Sequence, residues 1–292
     1  MLNMKRSLLK LRAKIRNVFP VKMPRDWDEA AYLCANPDVK TAVETGLVSS
    51  GFEHWQRRGL SEGRRPAQRT FRLTQDFSQY GEQAIILDYF SNCSAYFEQY
   101  CVDAGAYDGM VGSNSRALFL NGWRGVVIEP NPRTFARLRE LYSDRSDVTC
   151  IQTALSDRRL DNVPMKLAIG PEGTAEEDKW KYAQVSTLHD AFAASYEKEF
   201  GYVYETFTIN TDTLTHILQD VQAPRDIGFL SIDCEGEDIN LLRELDLNMF
   251  RPRLICVEAD DNNRHVYAEI LEPRGYVLHS HTVANAFFRA TC

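Results

Sequence analysis

From Phe77 onward the chain alternates short β-rich runs with helical stretches, and this rhythm restricts its fold more than any other feature. The runs are Tyr100–Ala104, Gly125–Glu129, Val148–Thr153, Ile227–Asp233, Arg253–Glu258 and Tyr276–His279. Helical patterns lie between them at Pro132–Tyr142, Thr213–Val221, Asp238–Leu247 and Arg264–Pro273. Strands separated by helices predict a parallel α/β sheet, covered on both faces through right-handed crossovers. Such sheets bind ligands at the carboxyl ends of their strands, so the residues that end each run are the ones to read for chemistry.

Length and charge narrow the field further. The 292 residues suffice for one large domain with a small appendage. The net charge of −7 conceals an asymmetry: residues 1–25 carry eight Lys and Arg and no acid, which leaves −15 on the remainder. A body this acidic repels phosphate backbones, so nucleic acid is not the expected partner and a small neutral acceptor fits better. The seven cysteines are odd in number and contain no C-x-x-C pair. They read as reduced thiols used as small hydrophobes, in keeping with a cytoplasmic location.

Three segments follow. In residues 1–25, Leu8, Leu11, Ile15 and Val18 recur at helical spacing among basic residues. Either a basic amphipathic arm, peripheral to the inner membrane surface or docked on a protein, or a solvated tail matches that pattern. Residues 26–70 read as a small helical module punctuated by Asn36-Pro37 and Gly59, and residues 71–292 hold the alternating domain. The module's Tyr32-Leu33, Asn36-Pro37-Asp38-Val39, Glu53-His54-Trp55 and Glu62-Gly63-Arg64 resemble a short unit found beside glycan-processing enzymes. A packing cap without chemistry is the alternative.

The strand ends carry the chemistry. The first run leads into Asp103-Ala104-Gly105-Ala106-Tyr107-Asp108-Gly109, an acid followed by a glycine that lets backbone approach a ligand. A nicotinamide fingerprint would need G-x-G-x-x-G here and is missing. The second run ends in Glu129-Pro130-Asn131, which places an acid where ribose hydroxyls can donate to it, unless it only charges the following helix N-terminus. The third is followed by Ala154-Leu155-Ser156-Asp157, a place for an adenine ring. The fourth ends in Asp233-Cys234-Glu235-Gly236-Glu237-Asp238; such acids can serve as general base, orient an acceptor or hold a hard cation, and some of them cap the next helix. Asp233 and Glu235 are the expected catalytic pair, with Glu258 and His281 in reserve and a divalent metal on Asp233 and Glu235 as an alternative.

Together these strings, with Gln79-Tyr80-Gly81-Glu82, Ser113-Asn114, Gly122-Trp123-Arg124-Gly125 and Ser186-Thr187-Leu188, resemble the FkbM-type family of S-adenosylmethionine-dependent methyltransferases over about Phe77 to Arg289. The family's pattern usually has Asn where Tyr107 stands, and often Thr where Ser115 stands. The resemblance implies a class I methyltransferase, Rossmann-like fold: a seven-stranded, mostly parallel sheet with an antiparallel final strand, here Ala286–Ala290. It implies methyl transfer from S-adenosylmethionine to a hydroxyl of a glycan, glycolipid or glycosylated product. It also implies cofactor contacts from Gln79, Tyr80, Glu82, Asp103, Ala104, Gly105, Ala106, Asp108, Asn114, Glu129, Pro130, Asn131, Ala154, Ser156 and Asp157. A non-catalytic scaffold with the same fold is the main alternative, and a nicotinamide oxidoreductase a lesser one. The stretch Gly170–Asn210, rich in aromatic residues among acids, is too long for a plain connection and reads either as an acceptor wall or as a self-packed lid.

Overall fold

The computed structural model describes residues 27, 29, 32–33, 36–59, 61–62, 64, 71, 75–93, 95 and 97–291. The expected basic arm of residues 1–25 lies outside them. The chain divides into two compact units, Met1–Arg69 with Asn92–Ala95, and Thr70–Ser91 with Tyr96–Cys292. In the smaller unit, helices α1 (Pro37–Glu44) and α2 (Gly51–His54) and a π-helical turn, Trp55–Gly59, surround an aromatic nucleus. The Trp27 ring stands 4.9 Å from Tyr32, 5.2 Å from Phe52 and 5.6 Å from Trp55. Gly59 is demanded there, because a Cβ would lie 2.7 Å from the Tyr32 hydroxyl.

The larger unit opens with α3 (Glu82–Asn92) and then runs β1 (Glu98–Ala104), α4 (Arg116–Leu120), β2 (Arg124–Ile128), α5 (Pro132–Leu141) and β3 (Val148–Ile151). Next come β4 (Ala154–Leu155), β5 (Leu160–Pro171), a 3-10 segment (Glu176–Val185), α6 (Asp190–Phe200) and β6 (Tyr202–Asp212). The chain closes with α7 (Leu214–Asp220), β7 (Ile227–Ile232), α8 (Asp238–Glu244), β8 (Leu254–Glu258), α9 (Arg264–Leu271), β9 (Tyr276–His281) and β10 (Asn285–Ala290).

Seven strands form one sheet in the order β3-β2-β1-β7-β8-β10-β9. Neighbours are parallel except around β10, which pairs antiparallel with both β8 and β9. The central strands are apolar on both faces because helices cover both: β7 is buried along its whole length, and Val102, Leu230, Ile255 and Phe288 sit in one core with Leu214, Leu218, Leu241 and Leu271 from the helices. The strand order reverses between β1 and β7, which opens a crevice at their carboxyl ends. Among the described residues no helix is long and apolar enough to cross a membrane.

One region departs from the expected loop. The stretch between β3 and β7 carries a second sheet, β4-β6-β5, whose long antiparallel pair β5 and β6 brackets the 3-10 segment and α6. Residues along β5 and β6 alternate between buried and exposed, so this small sheet hides one face only, on Ala154, Met165, Leu167 and Ile209.

Candidate active site

A cavity of about 320 Å³ opens at the carboxyl ends of β1, β2, β7 and β8, in the lower part of the usual range for small-molecule sites (roughly 300–1,000 Å³). It is bounded by the strand tips on one side and by the second sheet with residues 183–188 on the other. Of the expected residues, the cavity brings together Gln79, Asp103, Gly105, Ala106, Asn114, Glu129, Pro130, Ala154, Asp233 and Glu235, and it adds Glu258.

At the β1 tip, Asp103 is buried and accepts a short hydrogen bond from the Ser115 hydroxyl. Burial pushes its carboxyl up to about 6, against the pull of that hydrogen bond. Gly105 has φ +85, and a Cβ there would stand 1.7 Å from the Asp233 carbonyl oxygen. Glycine is required because the tips of β1 and β7 touch, a packing reason that stands beside the ligand approach expected from sequence, since Gly105 also lines the cavity. At the β2 tip, Glu129 is buried with three donors on it: the N–H groups of Tyr107 (3.0 Å) and Asn131 (2.8 Å), and the Thr134 hydroxyl (2.8 Å). Burial pushes this carboxyl up to about 7, and the three hydrogen bonds oppose it. One lone pair of Oε2 is left, so Glu129 can take one further hydroxyl, where the sequence reading assigned it both hydroxyls of a ribose.

The carboxylates at the tips of β7 and β8 differ. Asp238 shapes the loop, accepting from the N–H groups of Cys234 (3.1 Å) and Gly236 (3.4 Å), and Glu237 stands 2.9 Å from the His189 ring and accepts from Asn240. Neither caps α8, as the cluster was expected to do in part: Glu237 stands at the N-cap position without a side-chain cap bond, and Asp238 accepts only from the loop before the helix. Asp233 and Glu235 line the cavity, and among the described residues their carboxylates accept no hydrogen bond. Burial in the crevice pushes both well up, Asp233 further by the Glu258 and Asp238 charges and Glu235 further by Asp233 and Glu258. Asp233 keeps an exposed face on the cavity, so water tempers its rise. Glu258, also exposed, is pushed up to about 7, first by burial and then by Asp238. Glu235 sits at φ +49, a left-handed conformation that costs a non-glycine residue about 1–3 kcal/mol and is found at functional sites.

Several expected contacts are used elsewhere. Glu82 is buried and accepts from the Thr282 hydroxyl (2.7 Å), the Asn285 amide (3.1 Å) and the Tyr80 N–H (2.7 Å), so it staples α3 to the β9–β10 hairpin instead of facing the cavity. Tyr80 is half-exposed outside the cavity lining. Asp108 accepts from the N–H groups of Met110 and Val111 (2.9 Å each) and holds a turn. Asn131 caps α5 through the Arg133 N–H (3.0 Å). Asp157 is exposed beside Arg158 (2.9 Å), Ser156 donates its N–H to Asp212, and Ala104 is buried inside β1. Asp157 is not part of the cavity lining, which in this region consists of Ala154, Leu155, Met165 and Leu188.

That wall is what sequence reasoning passed over, although Ser186-Thr187-Leu188 was visible as a motif. Ser186 accepts from the Ala168 N–H (3.1 Å) and the Asn131 amide (3.3 Å). Thr187 pairs with Lys166 as an isolated bridge and donates its hydroxyl to the Glu235 carbonyl (2.8 Å). The motif thus fastens the second sheet to the loop that carries Glu235.

The lining chemistry fits S-adenosylmethionine. Asn114 lines the cavity with a buried Oδ1 that has no partner among the described residues, an acceptor suited to an ammonium beside Asp103. Glu129 has its spare lone pair for a ribose hydroxyl, the Ala154–Met165–Leu188 slot suits a flat base, and the carboxylates beyond suit a cationic sulfur. Among the described residues no group of three or more His, Cys, Asp or Glu side chains is placed to hold a metal.

The strand order with its antiparallel β10 and the cavity at the β1/β7 switch define a class I methyltransferase. The Methyltransferase FkbM domain matches residues 103–278, and the chain belongs to that family of S-adenosylmethionine-dependent methyltransferases. No curated protein matches it. Among solved structures it is similar to a precorrin-6y C5,15-methyltransferase from Geobacter metallireducens, with 14% identity over 76% of this chain and 94% of that one, TM-score 0.38. It is also similar to a methyltransferase FkbM from Methylobacillus flagellatus, with 13% identity over 73% of this chain and 56% of that one, TM-score 0.39. A fibrillarin from Aeropyrum pernix with natively bound S-adenosyl-L-methionine shares 11% identity over 66% of each chain, TM-score 0.33.

Proposed function

We propose that this methyltransferase acts on a hydroxyl oxygen of a saccharide-containing acceptor. The observation that carries the reading is the pair of cavity carboxylates, Asp233 and Glu235, on which no described side chain or amide donates. Carboxylates held this way are free to accept from an incoming hydroxyl, and burial raises their basicity above that of an ordinary carboxylate. Bound S-adenosylmethionine supplies a methyl group on a cationic sulfur for in-line displacement. Asp233 takes the alcohol proton and Glu235 orients the hydroxyl, while Asp103, Asn114 and Glu129 hold the cofactor's polar ends at the β1–β2 side.

The aromatic residues of α6 support the acceptor class. Phe192 and Tyr196 stack at 5.0 Å, Tyr196 and Phe200 follow at 5.2 Å, and none of the three is buried. Tyr196 lines the cavity, so a row of ring faces leads outward from it among the acids Asp190, Glu197 and Glu199. Neutral polyhydroxyl rings suit such a surface better than an anionic lipid does. Trp180, by contrast, packs on its own unit, with the Arg137 guanidinium 3.8 Å above its ring.

The test is to incubate the protein with methyl-labelled S-adenosylmethionine and a cell extract, then hydrolyse the products in acid. The label should be recovered as an O-methyl sugar. Label found only as an alkali-labile ester or on nitrogen would refute the acceptor assignment and leave the methyltransferase class intact.

A further inference from the structure

Tyr107 occupies the position where the family pattern usually has Asn, and its backbone is in the left-handed region at φ +52. Asn enters that region readily, whereas an aromatic residue does so under strain. Strain kept at a strand tip beside a cavity implies a compensating task. The side chain shows which one. Its hydroxyl donates to the Trp180 carbonyl at 2.7 Å, and its ring lies 6.3 Å from the Trp180 ring, tilted by 30°. Its backbone N–H meanwhile donates to Glu129 Oε2, the oxygen that keeps a free lone pair on the cavity.

Trp180 belongs to the 3-10 segment Glu176–Val185, which runs into residues 183–188 of the cavity lining. On its outer side that segment is bolted to α5, by Arg137 over the Trp180 ring and by Arg133 to Glu176 at 3.0 Å. The Tyr107 hydroxyl is the bond that ties it to the tip of β1. One residue therefore touches both sides of the β1–β2 end, alongside the Asn131–Ser186 bond: its amide is one of three donors on Glu129, and its phenol holds the segment that leads into the wall.

We propose that Tyr107 is a positioning residue for the cofactor, setting the gap between Glu129 and the 183–188 wall. The proposal rests on the cofactor lying at the β1–β2 end of the cavity. It makes the left-handed strain the counterpart of cofactor affinity: a residue that relaxes the backbone should loosen the site.

Two variants separate this from a plain packing role. Tyr107→Phe removes only the hydroxyl, and Tyr107→Asn relaxes the backbone and removes the whole strap. Calorimetry with S-adenosylhomocysteine should show binding weakened about tenfold in Tyr107→Phe and more in Tyr107→Asn. The ligand-free melting temperature of Tyr107→Phe, which keeps the buried ring, should stay within about 4 °C of the wild type, whereas Tyr107→Asn, which empties the ring's place, should melt lower. Turnover should show a raised KM for S-adenosylmethionine with kcat within about twofold of the wild type. Amide exchange in residues 176–188 should slow on addition of the ligand in the wild type and not in Tyr107→Phe. Unchanged affinity in both variants overturns the proposal, as does weakened binding in Tyr107→Phe that comes with a ligand-free melting temperature lowered by more than about 4 °C. Absence of binding by the wild type would instead overturn the placement of the cofactor.

Discussion

The acids at the tips of β1 and β2 and those at the tips of β7 and β8 face one cavity in two different conditions. Glu129 holds three donors and Asp103 one, whereas Asp233 and Glu235 hold none among the described residues. The first pair is therefore fixed by the protein before any ligand arrives, and the second keeps its acceptor capacity for what enters. The proposed O-methyl transfer uses that difference: a prebuilt end for the cofactor, and an end whose lone pairs are still free for the hydroxyl. The carboxyls at both ends are raised, but Asp103 and Glu129 are buried whereas Asp233 keeps an exposed face, so the ends differ in depth as well as in partners.

The largest effect that can break this contrast is at Asp233. Asp233→Asn should lower methyl transfer by about 10²–10⁴-fold while S-adenosylhomocysteine binds as in the wild type. Transfer at the wild-type rate would move the base to Glu235 or Glu258. Next in size is Glu129→Ala, which leaves the donors of Tyr107, Asn131 and Thr134 buried without an acceptor. Its stability should fall by about 2–4 kcal/mol in denaturant titration, a loss that Asp233→Ala, with no donor to orphan, does not share.

A pH profile sharpens the same division. Burial raises the cavity acids above their ordinary range, Glu258 to about 7, and a base must be ionised to act, so kcat should climb as pH rises out of the acid range. A flat profile from about pH 5 to 8 would mean that no raised carboxyl takes the proton. For stability the sign is opposite. Glu129 binds its proton more tightly folded, at about 7, than at its ordinary 4.5, so its contribution is full below 4.5 and is withdrawn as pH rises through 7. Ligand-free melting temperature should accordingly drop less between pH 4.5 and 7 in Glu129→Ala than in the wild type. The smallest effect is expected at Asp157, exposed on Arg158: Asp157→Ala should change neither binding nor turnover beyond about twofold.

The parallel core was legible because its strands announce themselves: β1, β2, β7 and β8 are short apolar runs that end in acids, and their observed ends fall within two residues of the expected ones. The second sheet was not, because β5 and β6 are half polar, and a one-sided sheet with Gly170 and Gly201 at its turns reads like a loop. Among the site residues, Asp103, Glu129, Asp233 and Glu235 were marked by position at strand ends. Glu82 and Asp108 carried the same chemical signal but face inward to protein donors, and nothing local distinguishes a carboxylate that meets a ligand from one that meets Thr282 or the Met110 amide. The wall of residues 183–188 depends on contacts such as Thr187 to Glu235, 48 positions apart, which no window of sequence contains.

The most direct measurement is calorimetric titration of S-adenosylhomocysteine into the wild type, Glu129→Gln and Asp233→Asn. The division between a cofactor end and a reaction end predicts saturable binding to the wild type, the same affinity in Asp233→Asn and a loss of at least about tenfold in Glu129→Gln. Equal losses in the two variants, or unaltered binding in Glu129→Gln, would contradict it.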